Sequence, residues 1–171
     1  NAVTNLKPHA VAARATGSRV VAKQLLALDE AVVEIMSDSG EGAQKCGQSF
    51  GAIAARMGNG VWTVEIIPAE IQPPARSVAG ASGNRIRLGS KRITNGGDEA
   101  GVVVAFNEQV LLGRVNAGEL KPGCIVLLES RWGASQDPKI AAQYAETRDR
   151  VVAEGYRLHE VPMEQECKAL V

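Results

Sequence analysis

A mostly apolar segment that leads into a glycine-rich turn constrains the fold of this chain most. Residues 31–36 read Ala-Val-Val-Glu-Ile-Met, which is typical of a buried strand. The turn at 37–44, Ser-Asp-Ser-Gly-Glu-Gly-Ala-Gln, follows directly, and apolar residues at helical spacing continue to Met57. A glycine turn between a buried strand and a helix is typical of proteins that alternate strands with helices.

The rest of the chain repeats this alternation. We predict further strands at 61–67, 84–88, 101–106, 124–128 and 156–161, helices at 108–117 and 138–154, and a final helix after Pro162. Asn107 is placed to cap the second of the main helices, and Asp137-Pro138 is a typical helix start. The order predicts the α/β class, as a three-layer α/β/α domain with a largely parallel central sheet.

The first 29 residues differ from the remainder. Up to residue 23 they carry four basic side chains and no acidic one, and 18–29 has the pattern of a short helix. An anion-binding arm is one interpretation, and a solvated, partly ordered leader is the one that we favour. We therefore predict a basic leader at 1–29 and one domain at 30–171. The last residues continue a helical pattern without a cap, so we expect a fragment of a longer subunit.

Charge and cysteine content exclude several classes of function. Lys and Arg number 19, as do Asp and Glu, so the chain has no overall electrostatic attraction to nucleic acid or to an anionic membrane. No apolar run approaches the ~18–20 residues that span a bilayer. The three cysteines have no metal-ligand spacing, which argues against a disulfide scaffold, a zinc site or an iron–sulfur cluster. We expect a cytoplasmic protein that binds no metal by itself.

The glycine turn matches neither common nucleotide motif. Gly40 and Gly42 satisfy the first two positions of the dinucleotide fingerprint, but Lys45 stands where the third glycine belongs. No Gly-Lys-Ser/Thr sequence follows, which argues against a P-loop. Two interpretations remain: the glycines present backbone N–H groups to an anion, or they only permit a tight connection.

Several segments resemble, in the same order, the gamma-type domain of 2-oxoacid:acceptor oxidoreductases. The turn at 37–44 resembles the family's glycine-rich turn, and residues 68–71, followed by Arg76 and 80–83, resemble the loop after the second strand. Residues 84–89 and 103–107 resemble the later strands, the last one with its polar end at Asn107. Residues 38–42 together with 72–76 resemble most the alpha subunit of 2-oxoglutarate:ferredoxin oxidoreductases, in which this domain is fused at the N-terminus.

The resemblance implies a component of a larger enzyme. Members of that family decarboxylate a 2-oxoacid on thiamine diphosphate and Mg, pass electrons through iron–sulfur clusters to ferredoxin, and release an acyl-CoA. The implied partners are the remaining alpha-subunit domains and a beta subunit that carries thiamine and clusters. The chain alone would bind no cofactor, contain no catalytic residue and be inactive. By resemblance, the residues on the CoA side are Gly40, Glu41, Gly42, Gln44, Arg76 and Asn107.

Other interpretations stay open. A free-standing nucleotide-binding module is one alternative, and a purely structural assembly domain is another. Five basic residues between Arg76 and Arg92 fit either CoA phosphates or a solvated face. Cys46 and Trp62 are expected to pack in the interior.

Overall fold

Six strands form one mixed sheet in the computed structural model, which describes residues 27–67 and 80–170. The strands are β1 (Glu30–Asp38), β2 (Gly60–Ile66), β3 (Ala81–Gly89), β4 (Ala100–Ala105), β5 (Leu120–Glu129) and β6 (Arg157–Val161). The helices are α1 (Ala43–Arg56), α2 (Glu108–Ala117), α3 (Pro138–Ala153) and α4 (Met163–Ala169), with a 3₁₀ turn at Ser130–Ala134. Each strand and helix predicted from residue 30 onward is present within these residues.

The strand order is β2-β3-β1-β4-β5-β6, and five of the six strands run in the same direction. β1, β2, β4, β5 and β6 run in one direction, and β3, which lies between β2 and β1, runs in the opposite one. β2 and β3 are consecutive among the described strands and pair as antiparallel neighbours, a pairing that needs no crossover helix. The predicted α/β class is confirmed, and β3 makes the sheet mixed.

Alternation along β1 divides the interior into two layers. Val32 and Met36 belong to the larger cluster, which includes buried residues of α2 and α3 such as Leu111 and Tyr144. Val33 and Ile35 point to the other face, where they pack with residues that include Ala43 of α1. The helices therefore cover both faces of the sheet, as the three-layer prediction requires.

A buried ion-pair network holds the centre of the sheet to α2. The side chain of Glu34 in β1 is fully buried and accepts hydrogen bonds from Arg85 Nε at 2.7 Å and from Arg114 Nε at 2.8 Å. Both arginines also pair with Glu119. Arg87 bonds Glu30 and Asn95 on the same face of the sheet. Arg85 and Arg87 thus have structural partners, which favours the structural interpretation of these two basic residues.

Small residues bring α1 close to the sheet. Its buried positions are Ala43, Gly47, Gly51 and Ala54. A Cβ atom on Gly47 would overlap the Cβ of Asn84 in β3, so the close approach depends on this glycine. The larger apolar residues of α1 lie elsewhere on the helix, because the sheet side has no room for them.

Two predictions of burial were wrong. Trp62 is 44% exposed, because β2 is an edge strand and its side chain has no helix above it among the described residues. Cys46 is exposed as well. Gly47 faces the sheet, and the preceding residue of the helix points in a different direction around the helix axis.

Parts of the predictions fall on residues outside the described ranges. They include most of the leader at 1–29 and Arg76. Within residues 27–67 and 80–170, no helix combines the length and apolar character that crossing a bilayer requires.

Candidate functional site

The candidate site lies at the sheet edge where β1 and β4 end side by side. These strands are parallel neighbours, with Met36 paired to Ala105. The helix after β1 packs on one face of the sheet, and the helix after β4 packs on the other. Where the connections after two neighbouring strands pass to opposite faces of the sheet, a crevice opens at the carboxyl ends of those strands. Open α/β sheets bind ligands in this crevice.

The glycine turn forms one wall of this crevice. Gly40 and Gly42 have φ angles of 90° and 93°, a left-handed conformation that favours glycine. Gly42 is the N-cap of α1, and its first turn contains no acidic residue. Among the residues that the structure describes, no side chain caps this helix, so its first N–H groups are suited to binding an anion.

Glu41 folds back onto the turn. Its Oε2 accepts a hydrogen bond from the backbone N–H of Asp38 at 3.2 Å, and its Oε1 lies 3.6 Å from a guanidinium nitrogen of Arg131. The carboxylate thus stabilises the turn from one side and faces a cation on the other.

Gln44 holds α1 to the antiparallel part of the sheet. Its side-chain Nε2 donates to the backbone carbonyl of Ile66 at 3.4 Å, and its backbone carbonyl accepts from Asn84 Nδ2 at 3.1 Å. Both contacts lie on the β2 and β3 side. Gln44 therefore positions the start of α1, and its amide points away from β4.

Asn107 joins the two strands that border the crevice. Its Oδ1 accepts from the backbone N–H of Val110 at 2.9 Å, which confirms the predicted cap of α2. Its Nδ2 donates to Oδ2 of Asp38 at 3.0 Å. The side chain is buried, and both of its polar atoms have partners within the protein.

Glu108 is a residue of this edge that sequence reasoning missed. It is 3% exposed, and its Oε2 has no hydrogen-bond partner among the described residues. Burial raises the pKa of this carboxyl, its own backbone N–H lowers it, and the nearby Asp38 raises it again, with a net rise. An acid at the first position of a helix is common, so the sequence contains no signal for this burial.

Replacing Glu108 by Gln should flatten the dependence of stability on pH. Because its pKa is raised when folded, the folded state binds more protons than the unfolded state above pH 4.5, the ordinary value. Stability therefore falls as pH rises from 4.5 through the folded pKa. Urea unfolding at several pH values between ~5 and ~8 should show a smaller loss in Glu108→Gln than in the wild type.

Glu164 provides the matched control for that experiment. Hydrogen bonds from Lys168 and Arg131 lower the pKa of Glu164 to about 2. It is therefore ionised in both states above pH ~5, and Glu164→Gln should leave the slope unchanged. An unchanged slope in Glu108→Gln would show that Glu108 ionises normally in the folded protein.

A cavity of about 350 Å³ opens beside the turn, between the ends of β4 and β5 and helix α4. Arg131 lines it, donates a hydrogen bond to Glu164 at 2.6 Å and stacks over the ring of Trp132 at 4.1 Å. Trp132 Nε1 in turn donates to the carbonyl of Phe106 at 2.7 Å. The charged groups that line the cavity are one guanidinium, of Arg131, and three carboxylates: Glu41, Glu129 and Glu164. Such a surface does not favour phosphate.

The structure brings five of the six predicted site residues to one edge of the sheet: Gly40, Glu41, Gly42, Gln44 and Asn107. The sixth, Arg76, lies outside the described ranges. The pairs Asp38–Ala81 and Ile66–Gly83 put the described residues that flank 68–79 at this same edge. In the described part of the chain, no group of three or more His, Cys, Asp or Glu residues could hold a metal ion.

Comparison with known proteins gives consistent matches. The model of the family described as "Pyruvate ferredoxin/flavodoxin oxidoreductase" matches residues 32–170. The chain is 36% identical over 103 residues to the 2-oxoglutarate oxidoreductase subunit KorA of Mycobacterium tuberculosis, over 60% of this chain and 16% of that protein.

A solved structure shares the fold. It is the 2-oxoglutarate:ferredoxin oxidoreductase of Magnetococcus marinus with 2-oxoglutarate, coenzyme A and succinyl-CoA bound, with a TM-score of 0.59 and 24% identity. The match covers 84% of this chain and 22% of that one. The chain thus corresponds to a small part of both proteins. Because the family model matches residues 32–170, well over half of the chain, the chain belongs to the pyruvate ferredoxin/flavodoxin oxidoreductase family.

Proposed function

We propose that this chain is a component of a 2-oxoglutarate:ferredoxin oxidoreductase. Such an enzyme decarboxylates a 2-oxoacid oxidatively, transfers the electrons to ferredoxin and releases an acyl-CoA. The similarity to a 2-oxoglutarate oxidoreductase subunit supports this choice of substrate within the family. Thiamine diphosphate, Mg and iron–sulfur clusters would be bound by other parts of the assembly, so the isolated chain would be inactive.

Within that enzyme, the domain would have two roles. It would hold subunits together, and it would lie on the side of the active site where CoA binds. The observation that carries this proposal is the uncapped start of α1 at the crevice between β1 and β4. Backbone N–H groups after Gly40 and Gly42 suit an anionic group of CoA. Arg76 would add a cation, while Gln44 and Asn107 would hold the turn and α2 in position. Glu41 would stabilise the turn through the hydrogen bond that its carboxylate accepts from the backbone N–H of Asp38.

The proposal is tested by isolating a tagged form of the chain without oxygen from cells that produce the whole system. We expect it to co-purify with a subunit that contains thiamine diphosphate and iron–sulfur clusters. Mass spectrometry identifies the partner, and the iron content and extracted thiamine diphosphate identify the cofactors. Isolation of the chain as a free monomer without any such subunit would contradict the proposal.

The acidic cavity beside the turn favours a second candidate function, a purely structural assembly domain. The three carboxylates that line this cavity would repel the phosphates of CoA and keep them away from this side. In that case, the contacts to CoA would come from other parts of the assembly, and the uncapped helix start would have no ligand.

Replacing Arg76 by Ala distinguishes the two functions. A cation that bonds a CoA phosphate contributes about 1.5–3 kcal/mol, so its loss should raise KM for CoA by about tenfold or more with little change in kcat. Arg92→Ala is the matched control, because the exposed Arg92 follows β3 at the opposite edge of the sheet. An unchanged KM for CoA in Arg76→Ala would support the structural function.

A further inference from the structure

The glycine turn carries a negative charge beside the place proposed for an anion. Glu41 lies between Gly40 and Gly42, two positions before Ala43, the first residue of α1. An ionised carboxylate next to the first N–H groups of a helix repels a phosphate that approaches them. The turn therefore binds an anion well only when the charge of Glu41 is neutralised and its carboxylate is held to one side.

Arg131 is the described cation that pairs with Glu41. One of its guanidinium nitrogens lies 3.6 Å from Oε1 of Glu41, and Oε2 of the same carboxylate accepts the backbone N–H of Asp38 at 3.2 Å. The carboxylate is thus held between the end of β1 and the 3₁₀ turn that follows β5. The positive charge of Arg131 offsets the charge of Glu41 at this position.

Several contacts fix Arg131 itself. Its backbone N–H donates to Oε1 of Glu129 at 2.9 Å, and its guanidinium donates to Oε2 of Glu164 at 2.6 Å. The guanidinium also lies 4.1 Å from the centre of the Trp132 ring. That ring is held by its own hydrogen bond, from Nε1 to the carbonyl of Phe106 at 2.7 Å. Arg131 is therefore anchored to the end of β4 and to α4 while it faces the glycine turn.

Lys168 gives Glu164 a second cation, which Glu41 lacks among the described residues. Nζ of Lys168 lies 2.6 Å from Oε1 of Glu164, whereas the described ion pair of Glu41 is the one with Arg131. Loss of the guanidinium charge would leave Glu164 paired and the charge of Glu41 without a described partner. The side chains of Arg131 and Glu41 are 41% and 29% exposed, so their ion pair contributes little to stability. Its effect is on the charge at the turn.

We propose that Arg131 is a positioning residue for CoA: it neutralises Glu41 and holds its carboxylate aside, so that the N–H groups at the start of α1 are open to a phosphate. Arg131 acts through Glu41 and does not bond the ligand, because its guanidinium already faces two carboxylates and an indole ring. This inference rests on the proposed function, since CoA is the ligand of the turn there. It accounts for an acidic residue within a turn that binds an anion.

Arg131→Gln in the complete assembly tests this role, because Gln keeps a hydrogen-bond donor for Glu164 and removes the charge. We expect KM for CoA to rise by about fivefold, with kcat and KM for 2-oxoglutarate within about twofold of the wild type. Arg131→Lys keeps the charge and should restore KM for CoA to within about twofold of the wild type. Arg150→Gln is the matched control, because Arg150 is 42% exposed and pairs with Glu154 at 2.7 Å on α3.

Two readouts separate this role from a structural one. In a Glu41→Gln background, Arg131→Gln should raise KM for CoA by less than about twofold, because no carboxylate remains to be neutralised. Between ~20 mM and ~0.5 M salt, the ratio of KM in Arg131→Gln to KM in the wild type should fall toward one, because salt screens the charge of Glu41. A defect of packing would depend on neither change. Circular dichroism should show that Arg131→Gln is folded.

Four results would overturn the inference. They are an unchanged KM for CoA in Arg131→Gln, an equal rise in the Glu41→Gln background, a rise that salt does not reduce, and failure of Arg131→Gln to fold. Each of them leaves the proposed function intact, provided that the wild-type assembly oxidises 2-oxoglutarate with CoA. If turnover by the wild-type assembly does not require CoA, the proposed function and the inference both fail.

Discussion

Replacing Glu34 by Ala should lower the free energy of unfolding by about 3–5 kcal/mol. Glu34 is fully buried in the central strand, and Arg85 and Arg114, which bond it, are only 12% and 15% exposed. Without the carboxylate, two largely desolvated guanidinium groups would face each other, with the partly exposed Glu119 as their remaining acidic partner. Urea unfolding followed by circular dichroism measures the loss.

Glu65→Ala is the matched control for Glu34→Ala. Glu65 lies on a strand of the same sheet and accepts a hydrogen bond from Gln48 at 2.8 Å, but it is exposed. Its loss should cost less than about 1 kcal/mol. Replacing Glu34, Arg85 and Arg114 together by Leu, Met and Met should recover much of the lost stability, because no unpaired buried charge remains. A loss below about 1 kcal/mol in Glu34→Ala would contradict the role given to this network.

Gly47→Ala should destabilise the domain by about 1–3 kcal/mol. Helix propensity alone favours Ala over Gly by about 1 kcal/mol, so a helix without tertiary contacts would change in the opposite direction. Here the added Cβ overlaps the Cβ of Asn84, which is fully buried and cannot move aside freely. Thermal and urea unfolding decide the sign. Displacement of α1 should also raise KM for CoA in the assembly, because the candidate CoA turn leads into this helix.

Gly101→Ala is the control for Gly47→Ala. A Cβ on Gly101 would meet only the carbonyl oxygen of Val32, at an ordinary contact distance of 3.9 Å. The same change should therefore alter stability by no more than about 0.5 kcal/mol. If Gly47→Ala were as stable as Gly101→Ala, α1 would not lie as close to β3 as the structure has it.

Local patterns were sufficient to predict the order of the elements. The apolar segments at 31–36 and 101–106 are buried strands, and the cap at Asn107 and the Asp137-Pro138 start are both present at helix ends. These signals act within a few residues, so they are visible in the chain itself. The antiparallel insertion of β3 between β1 and β2 is different, because pairing between strands depends on contacts that no local pattern contains.

Side-chain roles were predictable only where a partner is near in sequence. Glu34 lies in an apolar run, and its partner Arg114 is 80 residues away. The stripe on α1 has helical spacing, yet glycine and alanine face the sheet while Phe50, Ile53 and Met57 do not. Size and close approach decide this packing, and periodicity alone cannot show which face is nearer the sheet. Glu108 and the cavity at Arg131 depend on tertiary contacts in the same way.

Turnover by the isolated assembly tests the central claim most directly. Reduction of ferredoxin is followed without oxygen, with 2-oxoglutarate or pyruvate, each with and without CoA. The account predicts reduction that requires CoA and is faster with 2-oxoglutarate, together with formation of succinyl-CoA. An assembly that contains this chain and oxidises no 2-oxoacid in the presence of CoA would contradict it.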